Sequence, residues 1–157
     1  RSLRSTCNVL IAICAVADIF HQCGVLVKSP MVLDIYLEID SDLCIAIMFL
    51  PELGVGIGCV CILCIGLDRM LSVLFPIQYL RINKGIYACM ICSLMLGYSA
   101  YQCALMIYFR RPQKVVCDIL SPYPDESVIY FLGTMLMMNL CTVFVYLITG
   151  ITLRTSK

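Results

Sequence analysis

A chain of 157 residues that is 62% hydrophobic and only 13% charged is not composed like a soluble domain, in which about 25% of residues carry charge. Its mean hydropathy of +0.98 and long uncharged stretches read as membrane spans. A net charge of +1 argues against a nucleic-acid binder, which would show a strongly basic face.

Four apolar runs follow one another, at about 7–27, 43–80, 86–109 and 128–153. Each reaches the roughly 20 residues that a helix needs to cross the hydrocarbon layer. Helix is the sensible state for them, because lipid cannot satisfy backbone polar groups. The expected fold class is therefore all-α, a polytopic transmembrane helical bundle. The chain begins at Arg1 without a Met and stops just after an apolar run, so it reads as an internal piece of something larger.

The first run is interrupted only by Asp18 and His21. An ionised carboxylate in mid-span is costly, so Asp18 should face the bundle interior, water or an ion. His21 lies one turn above it on the same face. Asp18 is read either as part of a polar, cation-holding core or as a hydrogen-bonded structural acid. Arg1 and Arg4 ahead of this run mimic a signal peptide, but the run's length and inner polar residues argue against one.

The second run carries most of the chemistry. Cys44 stands near its start and Asp68-Arg69 near its end, 25 positions apart (69 − 44). A helix of that length is roughly 37 Å long, a bilayer core plus part of its headgroup layers. Pro51 lacks a backbone donor and should kink the run. Glu52 follows it about two turns below Cys44, at the depth of a pocket open to the outside. Glu52 is read as a ligand contact, against the alternative of an acid that packs two helices together. Arg69 keeps its charge at any working pH. It is either a switch held and released by its neighbours or a residue that snorkels at the end of the span.

Small residues mark two helix faces. Gly54 and Gly58 form a small-xxx-small step on the second run, and Ser93, Gly97, Ala100 and Ala104 share a face of the third. Such faces allow close approach in lipid, where packing drives association. The Gly54–Gly58 stretch lacks the spacing, Lys and strand of a phosphate loop.

Of the 12 Cys, most lie inside apolar runs, where a buried thiol behaves as a small hydrophobe. Cys59, Cys61 and Cys64 are better read as packing residues than as a metal site. No metal and no cofactor are expected. Catalytic residues are expected to be none: a single His allows no paired-His metal motif, and no Ser–His or Cys–His pair suggests itself.

Orientation comes from the loops. Arg1, Arg4, Arg81, Lys84, Arg154 and Lys157 fall on one side, against Lys28, Arg110, Arg111 and Lys114 on the other. The richer side is expected to be cytoplasmic. That places 1–6, 81–85 and 154–157 inside and 28–42 and 110–127 outside, with Asp34, Glu38, Asp40, Asp42, Asp118, Asp125 and Glu126 among the outer residues. Cys44 and Cys117 then share a compartment that permits disulfides. A bridge between them would shape a lid over the bundle, with Cys23 and Cys103 as competing partners.

Together these landmarks resemble the rhodopsin-like G-protein-coupled receptors, and more closely the nematode serpentine chemoreceptors of the srsx class. The stretch from Leu3 to Gln22 resembles helix two of that family, with Asn8 and Asp18 at its two signature positions. The run Gly66-Leu67-Asp68-Arg69-Met70-Leu71-Ser72-Val73-Leu74-Phe75-Pro76-Ile77-Gln78-Tyr79 resembles the end of helix three and the loop after it. Cys44 and Cys117 sit where the family's extracellular disulfide partners would. Tyr146 resembles the helix-five tyrosine that meets the helix-three Arg in active states.

The resemblance covers helices two to five of seven. It implies an extracellular ligand, a heterotrimeric G protein as partner, contact with that protein through Arg69 and Pro76, and a switch made of Asp68, Arg69 and Tyr146. It also implies that helix six moves on activation, so this piece alone should not signal. The ligand is expected near Glu52 and His21, beneath 110–127, freeing Arg69 from Asp68.

The chain departs from the family pattern at four places. Met70 replaces the Tyr of the Asp-Arg-Tyr motif, helix four has no Trp, Met138 stands where Pro is usual, and Gly58 replaces a Ser that often ligates sodium. A four-span structural protein of the tetraspanin or claudin type fits less well, because the outer segments are short and Trp is absent. A transporter fragment would show repeat-related broken helices, and none is evident in the sequence.

Overall fold

The computed structural model describes residues 6–33 and 38–155. The expectations that fell on Arg1, Arg4, Asp34 and Lys157 lie outside the described residues. Four long helices dominate: α1 (Thr6–Leu33), α2 (Ser41–Leu74), α4 (Lys84–Tyr108) and α5 (Asp125–Thr155). A short α3 (Pro76–Arg81) follows α2, and two short strands, β1 (Glu38–Asp40) and β2 (Lys114–Val116), complete the chain. Among the described residues, Cys7–Ser29, Ser41–Leu74, Lys84–Tyr108 and Glu126–Thr155 are long and apolar enough to cross a membrane. The protein is a multi-pass helical transmembrane bundle.

The second run is not one helix through Leu80, as its hydropathy suggested. α2 ends at Leu74, Phe75 leaves helical geometry with φ −131° and ψ 59°, and Pro76 opens α3. The physical reason lies in the ring of Pro76. It supplies no backbone N–H and disfavours helical geometry in the residue before it, whereas the first position of a new helix tolerates it. α4 begins two residues earlier than expected because the Asn83 side chain accepts from the Gly85 N–H at 3.0 Å, which caps it. Pro51 stays inside α2, where its ring packs against Gly24 of α1.

α2 is the central element and packs against α1, α4 and α5. Its glycines make this possible. A Cβ on Gly54 would stand 2.6 Å from the Ala17 carbonyl oxygen and 2.7 Å from the His21 nitrogen. Those atoms are backbone, so only glycine lets α1 and α2 approach so closely. Gly56 brings α2 equally close to Ser99 of α4. The second small-residue face behaves otherwise. Ser93, Gly97, Ala100 and Ala104 are exposed, and α4 buries Ile91, Met95, Ser99, Gln102, Cys103 and Met106 instead. α4 therefore approaches α2 closely at Ser99, opposite Gly56, and fills the remaining space with larger side chains such as Met95, Gln102 and Met106.

The core lies along α2. One cluster joins Leu10, Val60, Cys61, Cys64, Ile91 and Met95. Cys61 donates its thiol hydrogen to the Leu10 carbonyl at 3.1 Å, and so ties α1 to α2.

Candidate functional site

At one end of the bundle, a disulfide joins Cys44 and Cys117, with Cα atoms 5.4 Å apart. Both cysteines are fully buried. The neighbouring segments are stitched to each other as well. β1 and β2 pair antiparallel, with Glu38 opposite Val116, Ile39 opposite Val115 and Asp40 opposite Lys114. Lys28 pairs with Asp118 at 2.6 Å. Arg110 grips Asp42 through two bonds, Nε–Oδ1 at 2.6 Å and Nη2–Oδ2 at 2.9 Å. These pairs are about half exposed, so each contributes little on its own; the covalent bridge and the strand pairing hold the lid. Cys23 and Cys103, the competing partners considered from sequence, remain free thiols.

Beneath the lid lies a buried polar cluster. Glu52 of α2 is 1% exposed, and Gln102 and Ser99 of α4 are equally enclosed. Tyr123 reaches down from the segment before α5, its ring stacked on Phe131 at 4.6 Å. The Tyr123 hydroxyl stands beside the Glu52 carboxylate but donates to the Gln102 carbonyl at 3.3 Å. Neither Glu52 oxygen therefore has a partner in hydrogen-bonding geometry. Burial, with the Glu52 charge second, pushes the Tyr123 hydroxyl well above the ordinary phenol range. Gln102 Nε2 donates to the Tyr98 hydroxyl at 2.9 Å, and Tyr98 stands 3.5 Å from Thr134 Oγ1 of α5.

A cavity of about 250 Å³ opens between α1, α2 and α5. Asp18 and His21 both line it, with Gly54, Gly58, Cys59 and Asn139. The pairing of Asp18 with His21 on one face follows the helical spacing. Asn8 is not brought to Asp18. It lines a separate groove of about 470 Å³ with Val9, Ala12, Val16 and Phe20. The two positions are ten residues apart on one helix, roughly 15 Å, too far to share a site. Glu52 and His21 also face different surroundings, the α2–α4 interface and the α1–α2–α5 cavity.

The opposite end holds Asp68 and Arg69. Asp68 is 3% exposed, and its Oδ1 accepts a 2.8 Å hydrogen bond from the Tyr79 hydroxyl of α3. Tyr87 of α4 lies beside the same carboxylate. Arg69 is exposed. The expected Asp68–Arg69 pair is absent among the described residues, where the ion pairs are those of the lid. Consecutive helix residues point about 100° apart and do not face each other. Burial, then the Asp68 acceptor and its charge, push the Tyr79 hydroxyl up to about 12.

Tyr146 of α5 approaches α2 at Gly66, where a Cβ would stand 3.1 Å from its ring. That is one turn before Arg69. No hydrogen bond joins Tyr146 to Arg69 among the described residues. Pro76 is exposed at the first position of α3.

Sequence reasoning passed over Tyr79, Tyr87, Tyr123, Ser99 and Gln102. Gln102 carried a usable signal, a lone amide in an uncharged span, which lipid penalises unless it is satisfied. Tyr123 carried a weaker one, flanked as it is by Pro122 and Pro124.

A comparison with curated proteins finds no match. Residues 1–157 match the family described as serpentine type 7TM GPCR chemoreceptor Srsx. With a match over its whole length, four apolar helices and the lid disulfide, the chain belongs to the Srsx family of serpentine seven-transmembrane chemoreceptors.

Proposed function

We propose that this chain forms helices two to five of a plasma-membrane chemosensory receptor, with the disulfide lid outside the cell and Arg69 at the cytoplasmic face. A small molecule or peptide binds in the outer half of the bundle, beneath 110–127. Binding shifts the helices so that the exposed Arg69, with Pro76 and the neighbouring α3, meets a heterotrimeric G protein. A ligand moves such a balance only by its difference in affinity for the two arrangements.

The observation that carries this reading is the contrast at the end of α2. Asp68 is buried and held by Tyr79, while Arg69 beside it is exposed and outside any ion pair among the described residues. An arginine left in that state beside a buried, anchored acid is available to a partner. Tyr146, seated one turn away on Gly66, is within reach of Arg69 after a modest movement of α5. Asp18 and His21 supply a polar interior that couples α1 to α5, and Asn8 serves the opposite end of α1.

The test is Arg69→Ala in a full-length relative. Coupling to the G protein is lost while ligand binding is retained. Coupling that survives the substitution overturns the switch assignment. Labelling of introduced cysteines on intact cells with an impermeant thiol reagent checks the orientation. Probes beside position 44 react and probes beside position 69 do not.

A further inference from the structure

The contact between α1 and α2 keeps a regular register. Gly24 faces Pro51, the His21 backbone faces Gly54, and Ala17 faces Gly58. Each step of three or four residues back along α1 is matched by the same step forward along α2. The next step, three residues on in both helices, sets Cys14 against Cys61. Their side chains meet there and are hydrogen-bonded to each other. Cys61 also donates to the Leu10 carbonyl, one turn from Cys14, at 3.1 Å. Both are free thiols, Cys61 buried and Cys14 half-buried.

We propose that Cys14 and Cys61 form a redox dithiol inside the membrane, which an organic hydroperoxide dissolved in the lipid closes into a disulfide linking α1 to α2. A disulfide needs Cα atoms roughly 4.4–6.8 Å apart. Two helices come that near only where small residues let their backbones almost touch, as Gly54 does one heptad away. Cys64 shares the same core cluster, but it lies three residues along the same helix from Cys61 and a turn past the level of Cys14.

The exposures divide the labour. Cys14, the half-buried thiol, meets the oxidant first. Its sulfur attacks a peroxide oxygen and the O–O bond breaks. The departing alkoxide takes the thiol proton and leaves as an alcohol, and Cys14 becomes a sulfenic acid. The Cys61 sulfur then attacks the Cys14 sulfur. The S–O bond breaks, the S–S bond forms, and the hydroxyl leaves with the Cys61 proton as water. Two electrons pass from the two sulfurs to the peroxide. The product carries no charge and no unpaired thiol hydrogen, so the apolar surroundings of the pair favour it. It fixes α1 to the helix that carries Arg69, so the oxidation state of the lipid sets how freely those two helices slide.

The experiment uses the full 157-residue chain in phosphatidylcholine nanodiscs, with cumene hydroperoxide as the oxidant. Remaining thiols are alkylated after unfolding, and the chain is mapped by non-reducing proteolysis and mass spectrometry. A Cys14–Cys61 linked peptide accumulates saturably and is lost on treatment with a phosphine reductant. In Cys14→Ala the Cys61 thiol is consumed at least tenfold more slowly. In Cys61→Ala, Cys14 runs on to the sulfinic acid for want of a partner. Cys64→Ala forms the link as the native chain does. A link from Cys64 to either residue in its place overturns the proposal, as does Cys61 oxidising equally fast in Cys14→Ala. Both thiols surviving while the exposed Cys89 and Cys141 are oxidised overturns it as well. Should the alanine variants fail to fold, as judged by circular dichroism, phenylarsine oxide decides the matter on the native chain. Its arsenic exchanges oxygen for two thiol sulfurs with release of water, and so bridges only thiols that already lie side by side. Arsenic bound across Cys14 and Cys61, protecting both from alkylation, supports the dithiol, and alkylation of either at its untreated rate overturns it.

Discussion

The Tyr79 hydroxyl donates to Asp68 Oδ1 at 2.8 Å, and this bond reaches across the break between α2 and α3. Eleven residues separate the two partners. The break at Phe75-Pro76 turns α3 back so that its tyrosine meets the acid at the end of α2. A single continuous helix would hold the two about 16 Å apart along its axis. The bond therefore ties the short α3, which carries Pro76, to the residue beside Arg69. Anything that draws Tyr79 away from Asp68 changes the surroundings of Arg69 at the same moment.

Tyr79→Phe tests that tie. It removes the donor and leaves a nearly fully buried carboxylate oxygen short of a partner, at a cost of about 1–3 kcal/mol. Thermal unfolding of the purified chain in nanodiscs should show the loss. Gln78→Ala, at an exposed neighbour, should leave the midpoint where it is. Equal midpoints for the two variants would mean that the bond does not hold α3 in place.

Alkaline titration examines the same contact from the other side. The Tyr79 hydroxyl is pushed from 10.0 up to about 12, by burial first and by Asp68 second. A raised pKa means that the folded state favours the protonated phenol. Its contribution to stability is fully present below pH 10.0 and is lost as pH rises through about 12. The difference between the tyrosinate absorbance curves of the native chain and Tyr79→Phe isolates this group. In Asp68→Asn the curve should move to lower pH while staying above the ordinary phenol value, because burial persists. An unshifted curve in Asp68→Asn would separate Tyr79 from Asp68.

Reducing the disulfide, or replacing Cys44 and Cys117 by Ser together, should destabilise the lid strongly. The bridge spans a sequence separation of 73, and a loop of that length corresponds to about 4 kcal/mol in the chain-entropy view. The lid ion pairs are too exposed to compensate. Unfolding followed with and without a thiol reductant reads the difference directly. The Glu38–Asp40 and Lys114–Val116 amides should also lose hydrogen-exchange protection, since their pairing depends on the staple.

Gly54 and Gly97 form a matched pair of helix glycines with opposite surroundings. A Cβ on Gly54 meets the backbone of α1 within 2.7 Å at two atoms, and a Cβ on Gly97 meets nothing within 4 Å. Gly54→Ala should cost about 1–3 kcal/mol, because backbone cannot step aside cheaply. Gly97→Ala should stabilise by about 0.5–1 kcal/mol, through the higher helix propensity of alanine alone. Denaturation midpoints of the two variants, measured side by side, decide the matter. Equal effects would contradict the close α1–α2 crossing.

The sequence by itself determined that there are four membrane spans and which apolar runs form them, though not where the second run ends. It did so because the constraint is local. In lipid each backbone polar group must find its partner within its own segment, so an uncharged run of sufficient length becomes a helix whatever surrounds it. Cys44 and the Asp68-Arg69 step were legible by counting along one rod, and Cys117 as a partner for Cys44 from the side of the membrane on which its segment was expected. Gly54 was legible too, since close helix approach in a membrane needs small residues.

The tertiary structure alone decided what those residues touch. Lipid is as apolar as a protein core, so an apolar helix carries little signal of which face turns inward. That is why the small face of α4, at Ser93 and Gly97, proved to be its outer one. It is also why Glu52 sits closed between α2 and α4 rather than beside His21. The partner of Asp68 lay beyond sequence reasoning for a second reason. It depends on a turn in the chain at Phe75-Pro76, and the direction in which a chain leaves a break is set by what the next segment packs against, not by the residues of the break itself.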